Sequence, residues 1–128
     1  MATILVADDD EAIRSLLREI LESEKHVSLT ASDGAKALAI LKEKPVDLLM
    51  TDVFMPGMDG LELIKAVRAG GSTLPIIALS GAGPGLAKAD FLRFARAFGA
   101  DRILPKPFRL TELRTALDAC LSTTRLEP

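Results

Sequence analysis

Asp8, Asp9 and Asp10 stand in a row at the end of one short apolar run, and Asp52 stands at the end of another. Ser80 and Lys106 follow two more. Carboxylates brought to one place repel each other, so they need a cation or one must take up a proton. A site of carboxylates, a backbone carbonyl and water suits Mg²⁺. Lys106 would add a fixed positive charge and Ser80 a hydroxyl donor. Metal, ammonium and hydroxyl together serve a transferring phosphoryl group, whose charge spreads over its peripheral oxygens. Asp52 would be the nucleophile, since carboxylates can form aspartyl-phosphates. Taken singly, each residue has a plainer role. An Asp after a strand more often caps a helix or makes a turn, and a lone Lys is usually solvated. Asp10 is assigned to capping. The argument rests on joint placement after different strands.

That placement depends on elements with two alternating patterns. Thr3 to Ala7 reads as a buried strand, followed by Ile13, Leu16, Leu17, Ile20 and Leu21 on one helical face, with Asp10 as its N-cap. Val27 to Thr30 is a second strand. A second helix is capped by Asp33, turns Ala37, Leu38 and Leu41 inward and stops before Pro45. Val46 to Thr51 is the third strand, and a helix with Leu63, Ile64 and Val67 inward runs to Gly70 and Gly71. Leu74 to Leu79, a glycine-rich loop over 80–85 and a helix from Leu86 to Phe98 come next. Arg102 to Leu104 is a fifth strand. A last helix from Arg109 to Leu121 turns Leu110, Leu113, Leu117 and Leu121 inward. Five strand–helix alternations predict a parallel sheet covered on both faces. In such sheets ligands bind beyond the carboxyl ends of the strands, where the acids, Ser80 and Lys106 fall.

The 128 residues predict one domain over 1–121 and a tail over 122–128. A net charge of −2 gives no long-range pull toward nucleic acid or an anionic membrane, and the absence of Trp and Tyr removes the best stacking side chains. The one cysteine, Cys120, excludes an internal disulfide and is expected to pack in the core. His26 is expected at the surface, away from the acids. No apolar run is long enough to span a membrane, and the expected location is the cytoplasm.

The stretches Ile-Leu-Val-Ala-Asp-Asp-Asp (4–10), Asp-Val-Phe-Met-Pro-Gly-Met-Asp-Gly (52–60), Pro-Ile-Ile-Ala-Leu-Ser-Gly (75–81) and Gly-Ala-Asp-Arg-Ile-Leu-Pro-Lys-Pro-Phe (99–108) resemble the response-regulator receiver family of two-component systems. The resemblance runs from Ile4 to about Leu121. It implies a flavodoxin-like, doubly wound five-stranded parallel sheet of order 2-1-3-4-5 with five helices. It further implies that Asp52 is the phosphoacceptor, that Asp8 and Asp9 hold Mg²⁺ with Asp52 and the Phe54 carbonyl, and that Ser80 is the switch hydroxyl. Lys106 would pair with a phosphoryl oxygen, and its bond to Pro107 is often cis in the family. The donor would be a sensor histidine kinase or a histidine phosphotransfer protein, and the readout a shift between conformations that controls a downstream protein. On this reading the chain is a signalling module with only slow self-phosphorylating and dephosphorylating chemistry.

Where many members carry Tyr or Phe, three positions before the lysine, this sequence has Ile103. Ile has no polar tip to rotate, which predicts a more apolar signalling face and a less sharply two-state switch. Phe91, Leu92, Phe94, Ala95 and Phe98 cover a wide arc of the fourth predicted helix, expected mainly as core. The alternative is a partner or homodimer face formed by this helix, the fifth strand and the fifth helix. Three other functions fit these residues less well. A receiver that ignores phosphate is opposed by the complete set Asp8, Asp9, Asp52, Ser80 and Lys106. A flavin carrier is opposed by three acids after the first strand. A phosphatase with its nucleophile after the first strand fits Asp8 and Asp10 only loosely.

Overall fold

The computed structural model describes residues 1–80, 93, 96, 97 and 99–125, without the side chains of residues 80 and 122–125. Five strands form one parallel sheet in the order β2-β1-β3-β4-β5: β1 (Thr3–Ala7), β2 (Val27–Ala31), β3 (Leu48–Asp52), β4 (Ile76–Ser80) and β5 (Arg102–Pro105). Four helices lie among the described residues: α1 (Glu11–Ser23), α2 (Gly34–Glu43), α3 (Gly60–Ala69) and α4 (Leu110–Arg125). The helix expected over 86–98, with Phe91, Leu92, Phe94, Ala95 and Phe98, and the loop over 81–85 fall largely or wholly outside the described residues. Four of the five expected helices are thus among the described elements, and the one expected over 86–98 falls on the stretch largely outside them. No helix among them is long and apolar enough to cross a membrane.

Strand side chains alternate between faces, which divides the core in two. Ile4, Val6, Met50, Ile77, Leu79 and Leu104 pack with Leu17 and Leu21 of α1 and Leu113 and Leu117 of α4. Leu5, Ala7, Leu49, Ile76 and Ala78 pack on the other face with Ala37 of α2 and Leu63, Ile64 and Val67 of α3. Cys120 is buried in the first of these clusters, as expected. Two apolar residues depart from the expected inward faces: Leu16 is 45% exposed and Leu110 is 43% exposed. Leu16 lies at the margin of its apolar arc, and Leu110 is the first residue of α4.

Helix starts follow side-chain chemistry. Asp10, Asp33 and Asp59 each accept a hydrogen bond from the backbone N–H of Ala12, Lys36 and Glu62, satisfying donors that the first helical turn leaves unpaired. Strand boundaries shift slightly. Val46 and Leu74, expected to open β3 and β4, are only partly buried and precede the first paired residues, Leu48 and Ile76. The last helix continues past Leu121 to Arg125. His26 is partly buried rather than superficial, and its Nδ1 accepts a hydrogen bond from Ala2 N at 3.1 Å.

Candidate functional site

The first strand delivers Asp8 directly into the interior. Asp8 is fully buried, yet each of its polar groups has a partner. Its N–H donates to the Ala31 carbonyl (3.1 Å), its Oδ1 accepts from Asp10 N (2.9 Å) and its Oδ2 accepts from Lys106 Nζ (3.0 Å). Its own carbonyl accepts from Arg14 Nη1 (2.8 Å). Such satisfaction is the condition for burying a charge at all. Asp9, the next residue, is exposed.

Asp52 ends β3, at the centre of the sheet, and is 6% exposed. Its Oδ2 lies 3.3 Å from Lys106 Nζ, so one ammonium bridges two carboxylates. The backbone N–H of Phe54 also hydrogen-bonds the Asp52 carboxylate, while the Phe54 ring is 48% exposed. The segment after Asp52 is held by close backbone approach. Gly60 N donates to the Val53 carbonyl at 2.9 Å, and a Cβ on Gly60 would fall 1.9 Å from the Asp52 carbonyl oxygen. Only glycine lets α3 start this near to β3. Gly34 of α2 grips the same segment from another side: its N–H donates to Met58 O at 3.1 Å, and a Cβ there would lie 2.5 Å from that oxygen.

Lys106 arrives from the far side, after β5, and its peptide bond to Pro107 is cis, as the resemblance implies. Burial works to lower the Lys106 pKa, but its hydrogen bond to Asp8 and the charges of Asp52 and Asp8 outweigh it and hold the ammonium above its ordinary value. Asp52 shifts upward. Burial is the main cause and the Asp8 charge adds to it, against the opposing pull of Lys106 and the Phe54 N–H.

Asp8, Asp9 and Asp52 each offer a carboxylate oxygen within 4.8 Å of the others. Three negative charges face one lysine at this edge. Hard oxygen donors with an excess of negative charge fit a small divalent cation such as Mg²⁺. The structure thus brings together Asp8, Asp9, Asp52, Phe54 and Lys106. The backbone of Ser80 ends β4 in register with Pro105 beside them, and its side chain lies outside the described set. Ile103 is partly buried against the α2–α3 face of the sheet, in register with Ala78 and three residues from Lys106. Residue types alone did not single out the Arg14 clamp, the Phe54 N–H or the close approach of Gly60. Each depends on backbone contacts made only in the fold.

Comparison with known proteins places this arrangement in context. The family model for the response regulator receiver domain matches residues 4–118. Response regulator MprA of Mycobacterium ulcerans is 40% identical over 124 residues, which cover 97% of this chain and 52% of that protein. The chain thus spans about half the length of that curated relative. Among solved structures, the Vibrio cholerae chemotaxis protein CheY4 superimposes with a TM-score of 0.85 at 32% identity, covering 94% of this chain and 98% of that one. NtrX from Brucella abortus gives 0.88 at 32% identity, covering 98% of this chain and 28% of its own. With a family model matching residues 4–118 and sequence likeness along nearly the whole chain, the protein belongs to the response regulator receiver domain family of two-component signalling.

Proposed function

We propose that Asp52 accepts a phosphoryl group from a phosphohistidine of a sensor kinase or phosphotransfer protein, or from a small phosphoryl donor. The observation that carries this reading is the bridge of Lys106 between Asp8 and Asp52 in the same small site. An Asp52 carboxylate oxygen attacks phosphorus, the bond from phosphorus to the donor atom breaks, and its electron pair leaves with the donor. Lys106, already within 3.3 Å of Asp52, neutralises charge on a phosphoryl oxygen as it arrives. Asp8, Asp9, Asp52 and the Phe54 carbonyl would hold Mg²⁺, which supplies charge neutralisation of the transferring group. Ser80 would donate its hydroxyl to the phosphoryl group. Water attack on phosphorus later releases inorganic phosphate and restores the carboxylate. This turnover is slow, and the domain serves as a switch rather than an enzyme.

The signalling face would include Ile103 and α4, with a downstream protein or a second copy as partner. Residues 1–121 carry the receiver function, in the cytoplasm, where kinase donors act. This reading is tested by incubating the protein with a small phosphoryl donor and Mg²⁺ and measuring intact mass. One phosphoryl adduct is expected on wild type and none on Asp52→Asn or without metal. A folded wild type that gains no adduct overturns it.

A further inference from the structure

We infer that Arg14 is a positioning residue for the acidic site, holding the Asp8–Asp10 turn in the shape that presents Asp8 and Asp9 to a divalent cation. The inference rests on the metal-binding reading above. Arg14 is tied to both ends of that tripeptide. Its backbone N–H donates to the Asp10 carbonyl at 3.1 Å, the first-turn bond of α1. Its guanidinium reaches back over the helix start and donates from Nη1 to the Asp8 carbonyl at 2.8 Å. The other bonds to Asp8 come from the sheet, from the turn itself and from Lys106. Among the described residues, Arg14 alone fixes the turn from a helix side chain.

The turn needs such a restraint because its charges act against its shape. Asp8, Asp9 and Asp52 repel one another before a cation is bound, and exposed Asp9 has open solvent to move into. A hydrogen bond from a charged donor is about twice as strong as a neutral one. It keeps the donor oxygens converged, so binding does not have to reorder the turn. The positive charge of Arg14 acts the other way, repelling an incoming cation. That charge is partly exposed and screened, whereas the bond acts directly on the turn. The two contributions therefore predict opposite signs on removal of the side chain. Arg14 also lines an open groove with Thr30, Ala31, Ser32 and Lys36, so truncation does not empty the core.

The test is a calorimetric Mg²⁺ titration, with no phosphoryl donor, of wild type, Arg14→Ala, Arg14→Met and Arg14→Lys, with thermal melts alongside. Asp8→Asn is the control that the titration reports the acidic site. Arg14→Ala and Arg14→Met are expected to raise the Mg²⁺ dissociation constant roughly 3–10-fold, the scale of one hydrogen bond's net contribution. Arg14→Lys, which keeps a donor, should recover most of the affinity. Met preserves the stem without a donor, so Met against Lys carries the test if the Ala variant does not fold. A folded Ala or Met variant that binds Mg²⁺ as tightly as wild type, or more tightly, overturns the role. So does a Lys variant no better than Met. Failure of wild type itself to bind Mg²⁺ overturns the metal reading, and this inference with it.

Discussion

The two ends of the sheet handle charge in opposite ways. At the amino end, Arg68 of α3 donates to the carbonyls of Gly99, Ser72 and Leu74 and pairs with Asp101 at 3.1 Å. Asp101 in turn accepts from Ile76 N at 2.8 Å. One cation meets one anion, and the loops entering β4 and β5 are joined to α3. At the carboxyl end, Asp8, Asp9 and Asp52 converge and one ammonium pairs with Asp8 and Asp52, so charge remains unbalanced. The first end contributes stability. The second gives some up to the repulsion among its carboxylates. The proposed function uses the end where the electrostatics stay unbalanced.

The largest expected effect tests the frame of the charged end without touching a charge. Gly60→Ala places a methyl on the Asp52 carbonyl and should cost more than about 3 kcal/mol in urea unfolding, or prevent folding. A near-neutral result would mean that this segment yields easily. Next, Arg68→Ala breaks the balanced end. It leaves Asp101 without its cation and several carbonyls without their donor, and should cost about 2–3 kcal/mol while leaving phosphoryl acceptance by the folded protein intact. Loss of acceptance in folded protein would show that the ends are coupled.

Asp52→Asn has the opposite sign. Without metal at neutral pH it should stabilise the fold by on the order of 1 kcal/mol, a rise in Tm of about 2–8 °C. The Asp52 pKa is raised in the fold above its ordinary 3.8, mainly by burial. Its contribution is therefore fully present below that ordinary value and is lost as pH rises through the folded value. The advantage of the Asn variant should accordingly shrink as pH falls toward 3.8. A variant less stable than wild type at neutral pH would remove the contrast between the two ends. The smallest effect is at Arg18, whose bond to Glu22 at 3.5 Å joins two largely exposed side chains on α1. Arg18→Ala should change stability by less than about 0.5 kcal/mol.

The sheet was legible because parallel strands buried on both faces read as continuous apolar runs, as Ile4 to Ala7 and Ile76 to Leu79 do. Asp8, Asp52 and Lys106 were legible because strand ends in this topology converge. Boundaries were less so. Val46 and Leu74 are apolar and pack near the core, yet the ladder begins two residues later at each, since apolarity does not specify hydrogen bonding. Leu16 and Leu110 fit a helical period, yet both stay exposed. Arg14 and Arg68 look like ordinary surface cations in sequence. Their partners are mainly backbone carbonyls, which carry no sequence signature.

The segment from Val53 to Gly60 is gripped at both Gly34 and Gly60. This has a consequence for descent as well as for shape. One residue more or fewer would displace either Met58 from Gly34 or the start of α3 from β3. Among relatives that keep both grips, this stretch should vary in spelling but not in length, so its eight residues can serve as a fixed ruler for aligning the rest of the chain.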